Sequence, residues 1–356
     1  MINDIAAFVR KHERHIGVAA IFLGFVWDSL TLGRPDQLFE NVVLMVYLLV
    51  PAAGLLVLAI YERRGGRAPL VLLPIIQFAF GNLAGGLTVL YFKSGSLSAN
   101  FVFFLLLLGF LIGNEFLRNH YARMQFHISA WYFLLISYSA LIVPVLVRKV
   151  GPGVFLLSGL LSLLAVFVYL RLLYFVLKRR LGEKVRETIG KTVTAVAVIY
   201  LSFTALYFLN LIPPVPLALK SVGIYHSLDK LPNGNYRVSY ERPRWNEFLR
   251  ETKGTFAGGG PAYCMSSVFA PVRLSTEIYH RWERLNEGTG EWETKSLISF
   301  GIQGGRSEGY RGYSELPTLQ SGRWRCSVET KAGAVIGRAA FTAVSGVVPI
   351  LYGKEL

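Results

Sequence analysis

The feature that most constrains this chain is a succession of long apolar runs with few charges, all within its first 213 residues. A helix needs roughly 20 apolar residues to cross about 30 Å of hydrocarbon. The runs at 16–32, 39–60, 68–92, 101–116, 126–147, 153–177 and 192–212 meet or approach that length. Pro213, Pro214, Val215 and Pro216 close the last of them. They predict a bundle of about seven transmembrane helices. Composition agrees, since only 17% of residues are charged, against about 25% in an ordinary soluble domain.

The charges that remain are placed as a membrane would place them. A formal net charge of +15 would suggest nucleic acid if it were clustered on a soluble surface. Here much of it lies in short loops between apolar runs, so the expected partner is membrane lipid and not nucleic acid. One alternating set of segments carries Arg10, Lys11, Arg14, Arg63, Arg64, Arg67, Arg118, Arg123, Lys178, Arg179, Arg180, Lys184, Arg186 and Lys191. The opposite set holds only Arg34, Lys93, Arg148 and Lys149. Cytoplasmic loops collect Lys and Arg, which places the N-terminus in the cytoplasm and residues after 212 in the periplasm or an equivalent space. Asp28 and the lack of a small-x-small cleavage site predict that the first span is retained.

Beyond residue 236 the pattern turns to short period-two runs separated by Gly, Asn and Pro. Strands are predicted at 236–241, 263–272, 276–284, 296–303, 322–330 and 334–344, with a short helix or loop at 244–253. Six or seven strands in this span suit a β-sandwich of immunoglobulin-like layout. The expected organisation is a transmembrane domain at 1–213, a Pro-containing connector at 214–235, a periplasmic β-sandwich at 236–346 and a tail at 347–356. Cys264 and Cys326 fall in the compartment that permits disulfides, which makes them a candidate bridge with two buried thiols as the alternative. Trp282 between them gives the Cys, Trp, Cys order of immunoglobulin domains. Without a Cys-x-x-Cys, such a bridge would be structural.

Ionisable groups in the apolar runs are Asp28, Glu115 and Arg171, each near a span end where it can reach water. Gln77, Gly81, Asn82, Gly85 and Gly86 in the third run suit close helix packing, with a broken-helix solute site as the sharper reading. Gly113, Asn114, Glu115, Arg118, Asn119, His120 and Tyr121 read as a solvated helix end or as a phosphate or lipid-headgroup contact. In the outer part, Tyr279, His280, Arg281 and Trp282 share one predicted strand, so alternation sends one pair into the core. Tyr310, Arg311 and Tyr313 form a Gly-flanked loop, and Arg323, Trp324 and Arg325 add a third aromatic and basic run. Such groups hold sugars or acidic polymers by stacking and charge-assisted hydrogen bonds. No Walker loop, nucleophile elbow or zincin motif occurs, so no catalytic residue, metal or cofactor is predicted.

Ser266 to Pro271, Ile278 to Trp282, Gly309 to Ser314, and Gly322 to Cys326 ahead of Phe341 resemble the bacterial membrane proteins whose C-terminal module is called domain of unknown function 2914. Trp27, Asp28, Ser29, Leu30 and Arg34, the stretch Phe80 to Leu83, and Gly113 to Glu115 are similar to that family's membrane half. The resemblance implies a multi-helix region joined to a β-rich outer module in a bacterial envelope, and it implies no activity. The expected function is therefore an inner-membrane protein that anchors a periplasmic domain. That domain binds an envelope component, cell-wall glycan or a partner protein, through Arg281, Tyr310, Arg311, Tyr313 and Arg323. The rival is a transporter or lipid-modifying enzyme using Asp28, Gln77, Asn82 and Glu115.

Overall fold

The computed structural model describes residues 36–65, 69, 72–116, 124–247, 250–346 and 349–356. The first expected span, and with it Asp28, lies outside them. The chain divides into a helical unit ending at Leu211 and a second unit formed by Ile212–Leu356 with Lys93–Asn100.

The helices are α1 (Leu38–Arg64), α2 (Leu72–Lys93), α3 (Leu97–Phe116), α4 (Met124–Val147) and α5 (Pro152–Phe208). Five segments are long and apolar enough to cross a membrane: Leu38–Tyr61, Ile75–Lys93, Met124–Val147, Pro152–Lys178 and Arg186–Phe208. They correspond to five of the seven expected spans. The fourth expected span supplies a shorter apolar helix, Asn100–Gly109. Its run is bounded by a non-helical backbone at Asn100 and by the polar Gly113, Asn114 and Glu115.

Although α5 is one helical run, it folds back on itself. A straight helix of its 57 residues would be about 85 Å long. Yet the Phe155 ring stacks on Tyr207 at 3.7 Å, and Gly159 lies against Tyr200. Its two arms are therefore antiparallel, with the reversal between Lys178 and Arg186, where the basic run falls. Elsewhere in the unit, buried aromatic donors reach main-chain acceptors. Pro51 interrupts the α1 ladder by withholding an N–H. On either side of it, Trp131 Nε1 donates to Leu48 O at 2.9 Å and Tyr169 OH to Ala52 O at 3.0 Å.

The second unit is β-rich. Its strands are β1 (Ala218–Tyr225), β2 (Ser227–Lys230), β3 (Tyr236–Tyr240), β4 (Thr255–Ala257), β5 (Ala262–Phe269), β6 (Ser275–Leu285), β7 (Trp292–Gln303), β8 (Tyr310–Leu316), β9 (Gly322–Thr330), β10 (Val335–Val344) and β11 (Tyr352–Glu355). They form sheets of order β1-β5-β8, β4-β10-β9-β6-β7 and β11-β3-β2. Three segments differ from expectation. The expected connector carries β1 and β2, the expected tail carries β11, and the Gly-flanked loop at Tyr310–Ser314 is the strand β8.

The core joins the β1-β5-β8 sheet to the five-stranded sheet. Ile224 and Cys264 meet Trp282, Trp324, Cys326 and Phe341 there, all nearly inaccessible to water. Cys264 on β5 and Cys326 on β9 form a disulfide across the sheets, as the oxidised alternative expected, with Trp282 directly opposite Cys326 in the β6–β9 pairing. Alternation on β6 puts His280 and Trp282 inside and Arg281 outside. His280 is fully buried between Ser266 Oγ, 2.7 Å from Nε2, and Ser314 Oγ, 2.9 Å from Nδ1.

Burial lowers the His280 pKa from 6.5 to about 3. Below pH 6.5 the unfolded chain therefore takes up a proton that the folded chain refuses, and stability is lost as pH falls. Between pH 6.5 and about pH 5 the expected loss is about 2 kcal/mol. Urea-dependent amide hydrogen exchange in β5 and β6 at several pH values would read it, and His280→Phe should flatten that dependence. Packing gives a second expectation. A Cβ on Gly304 would collide with Pro271 O, a main-chain atom that cannot swing aside. Gly304→Ala should therefore destabilise the unit by roughly 1–3 kcal/mol in the same measurement.

Candidate functional site

The sequence-predicted binding residues do not share one surface. Arg281 lies on the outer face of the five-stranded sheet, where its Nε donates to Glu329 Oε2 at 2.9 Å. Arg323 is exposed on β9 of the same sheet. Tyr310, Arg311 and Tyr313 lie on β8, at the edge of the β1-β5-β8 sheet. There Arg306 sits over the Tyr310 ring, Arg311 Nη1 donates to Asn235 Oδ1 at 3.4 Å, and Tyr313 meets Tyr236 edge-on at 5.8 Å. Only Arg311 and Tyr313 point to the same side of the strand.

Of the rival site, Gln77 and Asn82 are described on α2. Asn82 donates its amide to Phe78 O in its own helix at 2.7 Å. Gln77 is half-buried five positions earlier, and Glu115 belongs to α3. Asp28 falls outside the described residues.

A different group of side chains surrounds a cleft of about 620 Å³ in the β-rich unit. Its walls come from β1 at Leu219–Val222, the segment Arg250–Thr252, Trp292, Arg325 and the β10 stretch Arg338–Phe341. The cleft exists because β4 pairs with β10 only along Thr342–Val344. Just upstream, the Ala340 carbonyl accepts a bond from Arg250 Nη1 at 3.0 Å.

Four cations, Lys220, Arg250, Arg325 and Arg338, face the cleft against one carboxylate, Glu251. Glu251 is itself paired with Lys354 at 3.0 Å. Arg325 forms a two-pronged bond with Glu283, Nε to Oε2 at 2.6 Å and Nη2 to Oε1 at 2.8 Å, while its guanidinium lies 4.3 Å over the Trp292 ring. Arg338 Nε donates to Ser327 Oγ at 3.1 Å. Burial, and then the Arg325 charge beside it, depress the Arg338 pKa. Glu283 and Glu329 nearby act in the opposite sense, and an anion in the cleft would add to them. With Arg325 covering one face of Trp292, the cleft sets charge-assisted donors for an acidic group beside an indole in its wall.

Composition flagged Arg325 within an aromatic and basic run but did not reach Arg338, Lys220, Arg250 or Trp292. Their convergence depends on the pairing of β9 with β10, in which Arg338 lies opposite Ser327. That register is not written in any local run.

Residues 275–343 match the model of a family described as protein of unknown function (DUF2914). The match covers β6 to β10, including Arg325, Arg338, Trp292, His280 and Cys326. No curated protein matches the sequence. Among solved structures, a β-glucosidase from Kluyveromyces marxianus aligns with 38% of this chain and 15% of its own length, at 10% identity and a TM-score of 0.17. The alkylpurine DNA glycosylase AlkC of Pseudomonas fluorescens, bound to DNA containing an abasic site analog, aligns with 87% of this chain and 99% of its own, at 12% identity and a TM-score of 0.21. At these scores neither likeness bears on fold or function.

Proposed function

We propose that this chain is a bacterial inner-membrane protein whose helical bundle anchors an immunoglobulin-like β-module in the periplasm, and that the module binds an acidic envelope glycan in the Arg325–Arg338 cleft. The observation that carries the binding claim is the convergence of the half-buried Arg338 with Arg325, Arg250 and Lys220 on one cleft that holds a single carboxylate. The five apolar helices and the one-sided distribution of Lys and Arg support the anchor and its orientation. The Cys, Trp, Cys core spanning two sheets supports the immunoglobulin-like reading. Cell-wall glycan carries both carboxylates and sugar faces, which suits guanidinium donors beside an indole better than a purely apolar partner would.

The test uses the full chain in detergent micelles, with acidic and carboxyl-amidated cell-wall glycan fragments in parallel calorimetric titrations. Binding should require the carboxylates, and Arg338→Met should weaken it about tenfold or more, the loss of a charge-assisted hydrogen bond. Arg311→Ala and Tyr313→Ala should leave it unchanged. Loss of binding in those two variants with Arg338→Met intact would move the site to the β8 face. Equal binding of the amidated fragments, or none of either kind, would refute the acidic-glycan reading.

A further inference from the structure

The core of the β-module contains a set of donor atoms that glycan binding does not use. The sulfurs of Cys264 and Cys326 and a ring nitrogen of His280 lie within 4.8 Å of one another, and all three side chains are buried. They are brought together by strand pairing: Trp282 faces Cys326 across β6 and β9, and Cys264 faces Ser314 across β5 and β8. Trp282 Nε1 donates to the same Ser314 Oγ that meets His280 Nδ1. Both ring nitrogens are therefore held in fixed directions.

We infer that, when the 264–326 bond is open, Cys264, Cys326 and His280 bind one thiophilic closed-shell cation, Zn²⁺ or Cu⁺, at the place the disulfide occupies. A dithiol reductant would open the bridge. Two electrons and two protons pass to the cysteine sulfurs as the reductant becomes its own disulfide. The ion then displaces both thiol protons and takes two thiolates and one imidazole nitrogen.

The geometry permits this. Two metal–sulfur bonds of about 2.3 Å, at the roughly 110–120° of a centre held by three protein donors, put the sulfurs about 4 Å apart. The Cα atoms, 6.5 Å apart, leave room for that separation by side-chain rotation. Thiolates in a dry core are costly without a cation, and imidazole binds metal only when neutral. Burial holds His280 neutral across the physiological range. Whichever nitrogen takes the ion gives up one serine, while the other keeps its serine partner and so keeps the ring oriented, as the outer partners of metal-bound histidines usually do. Either the disulfide or the ion would then clasp the two sheets across the same point.

The full chain in detergent, reduced anaerobically until alkylation counts two thiols, is loaded with Zn²⁺ or with Cu⁺ and desalted. One ion per chain should be retained in the reduced protein and none in the oxidised protein. X-ray absorption should show two sulfur ligands and imidazole scattering, and a Zn²⁺ against Cu⁺ competition identifies the preferred ion. His280→Asn should lower affinity at least about 100-fold, more than the loss of an outer-shell partner. No retained ion, equal retention by the oxidised chain, or a sulfur shell without imidazole would overturn the site. Because the absorption spectrum is read on the unsubstituted chain, it decides for or against the site even if His280→Asn does not fold.

Discussion

Replacing Cys264 and Cys326 together by alanine is expected to lower the stability of the β-module by about 4 kcal/mol, the chain freedom that a 62-residue closure removes from the unfolded state. The readout is the urea dependence of amide hydrogen exchange in β5, β6 and β9, compared with the oxidised parent in metal-free buffer. The size of the effect follows from where the bridge lies. It joins β5 of the β1-β5-β8 sheet to β9 of the five-stranded one, which otherwise meet through side-chain packing, the hydrogen bonds of His280 and Trp282 to Ser266 and Ser314, and the approach of β1 to β10 and of β8 to β6 and β7. Trp282 and Phe341 meet edge-on next to it, so removing the sulfurs also takes contacts from two large rings. A loss below about 1 kcal/mol would mean that the unfolded chain is already compact around this point and that ring packing alone aligns the sheets.

Helices were legible in the sequence because crossing hydrocarbon demands length. Residues 39–60 and 126–147 contain no competing element, and the structure places Leu38–Tyr61 and Met124–Val147 there. Strands were legible only where β-branched and aromatic residues alternate, as in β6 and β10. β8 is not legible as a strand because Tyr310, Arg311, Gly312, Tyr313 and Ser314 have a turn-like composition. It is a strand because Gly312 leaves space that the Phe300 ring fills, and a Cβ there would run into that ring. β1 and β11 were hidden for a different reason, since each is defined by a partner far along the chain, β5 and β3 respectively.

The site was legible residue by residue but not as a constellation. Alternation separated Arg281 from His280 and Trp282, yet which pair faced outward and whether Arg281 remained available depended on the sheet and on Glu329, 48 positions away, which holds it. The Cys, Trp, Cys order pointed to the core, but the approach of His280 to both sulfurs needed the β6–β9 and β5–β8 registers together. Local composition reports what a side chain can do; only register reports what it meets.

The cleft separates two arginines by what each would leave behind. Arg325→Met is expected to destabilise the β-module by about 3–5 kcal/mol, because it strands the Glu283 carboxylate, only 6% exposed, without its two-pronged partner. Pairing it with Glu283→Met should recover most of that loss, since a buried ion pair replaced by apolar side chains of similar size is often neutral. Arg338→Met should instead cost clearly less, about 1–2 kcal/mol, because it strands no buried carboxylate: Glu283 keeps Arg325 and Glu329 keeps Arg281. Urea-dependent hydrogen exchange on the three variants tests the contrast. If Arg338→Met is as damaging as Arg325→Met, Arg338 is part of the scaffold and the cleft's charge is structural. If it folds as the parent does, the half-buried guanidinium is not needed by the scaffold, and the same variant becomes the one on which glycan binding should be measured.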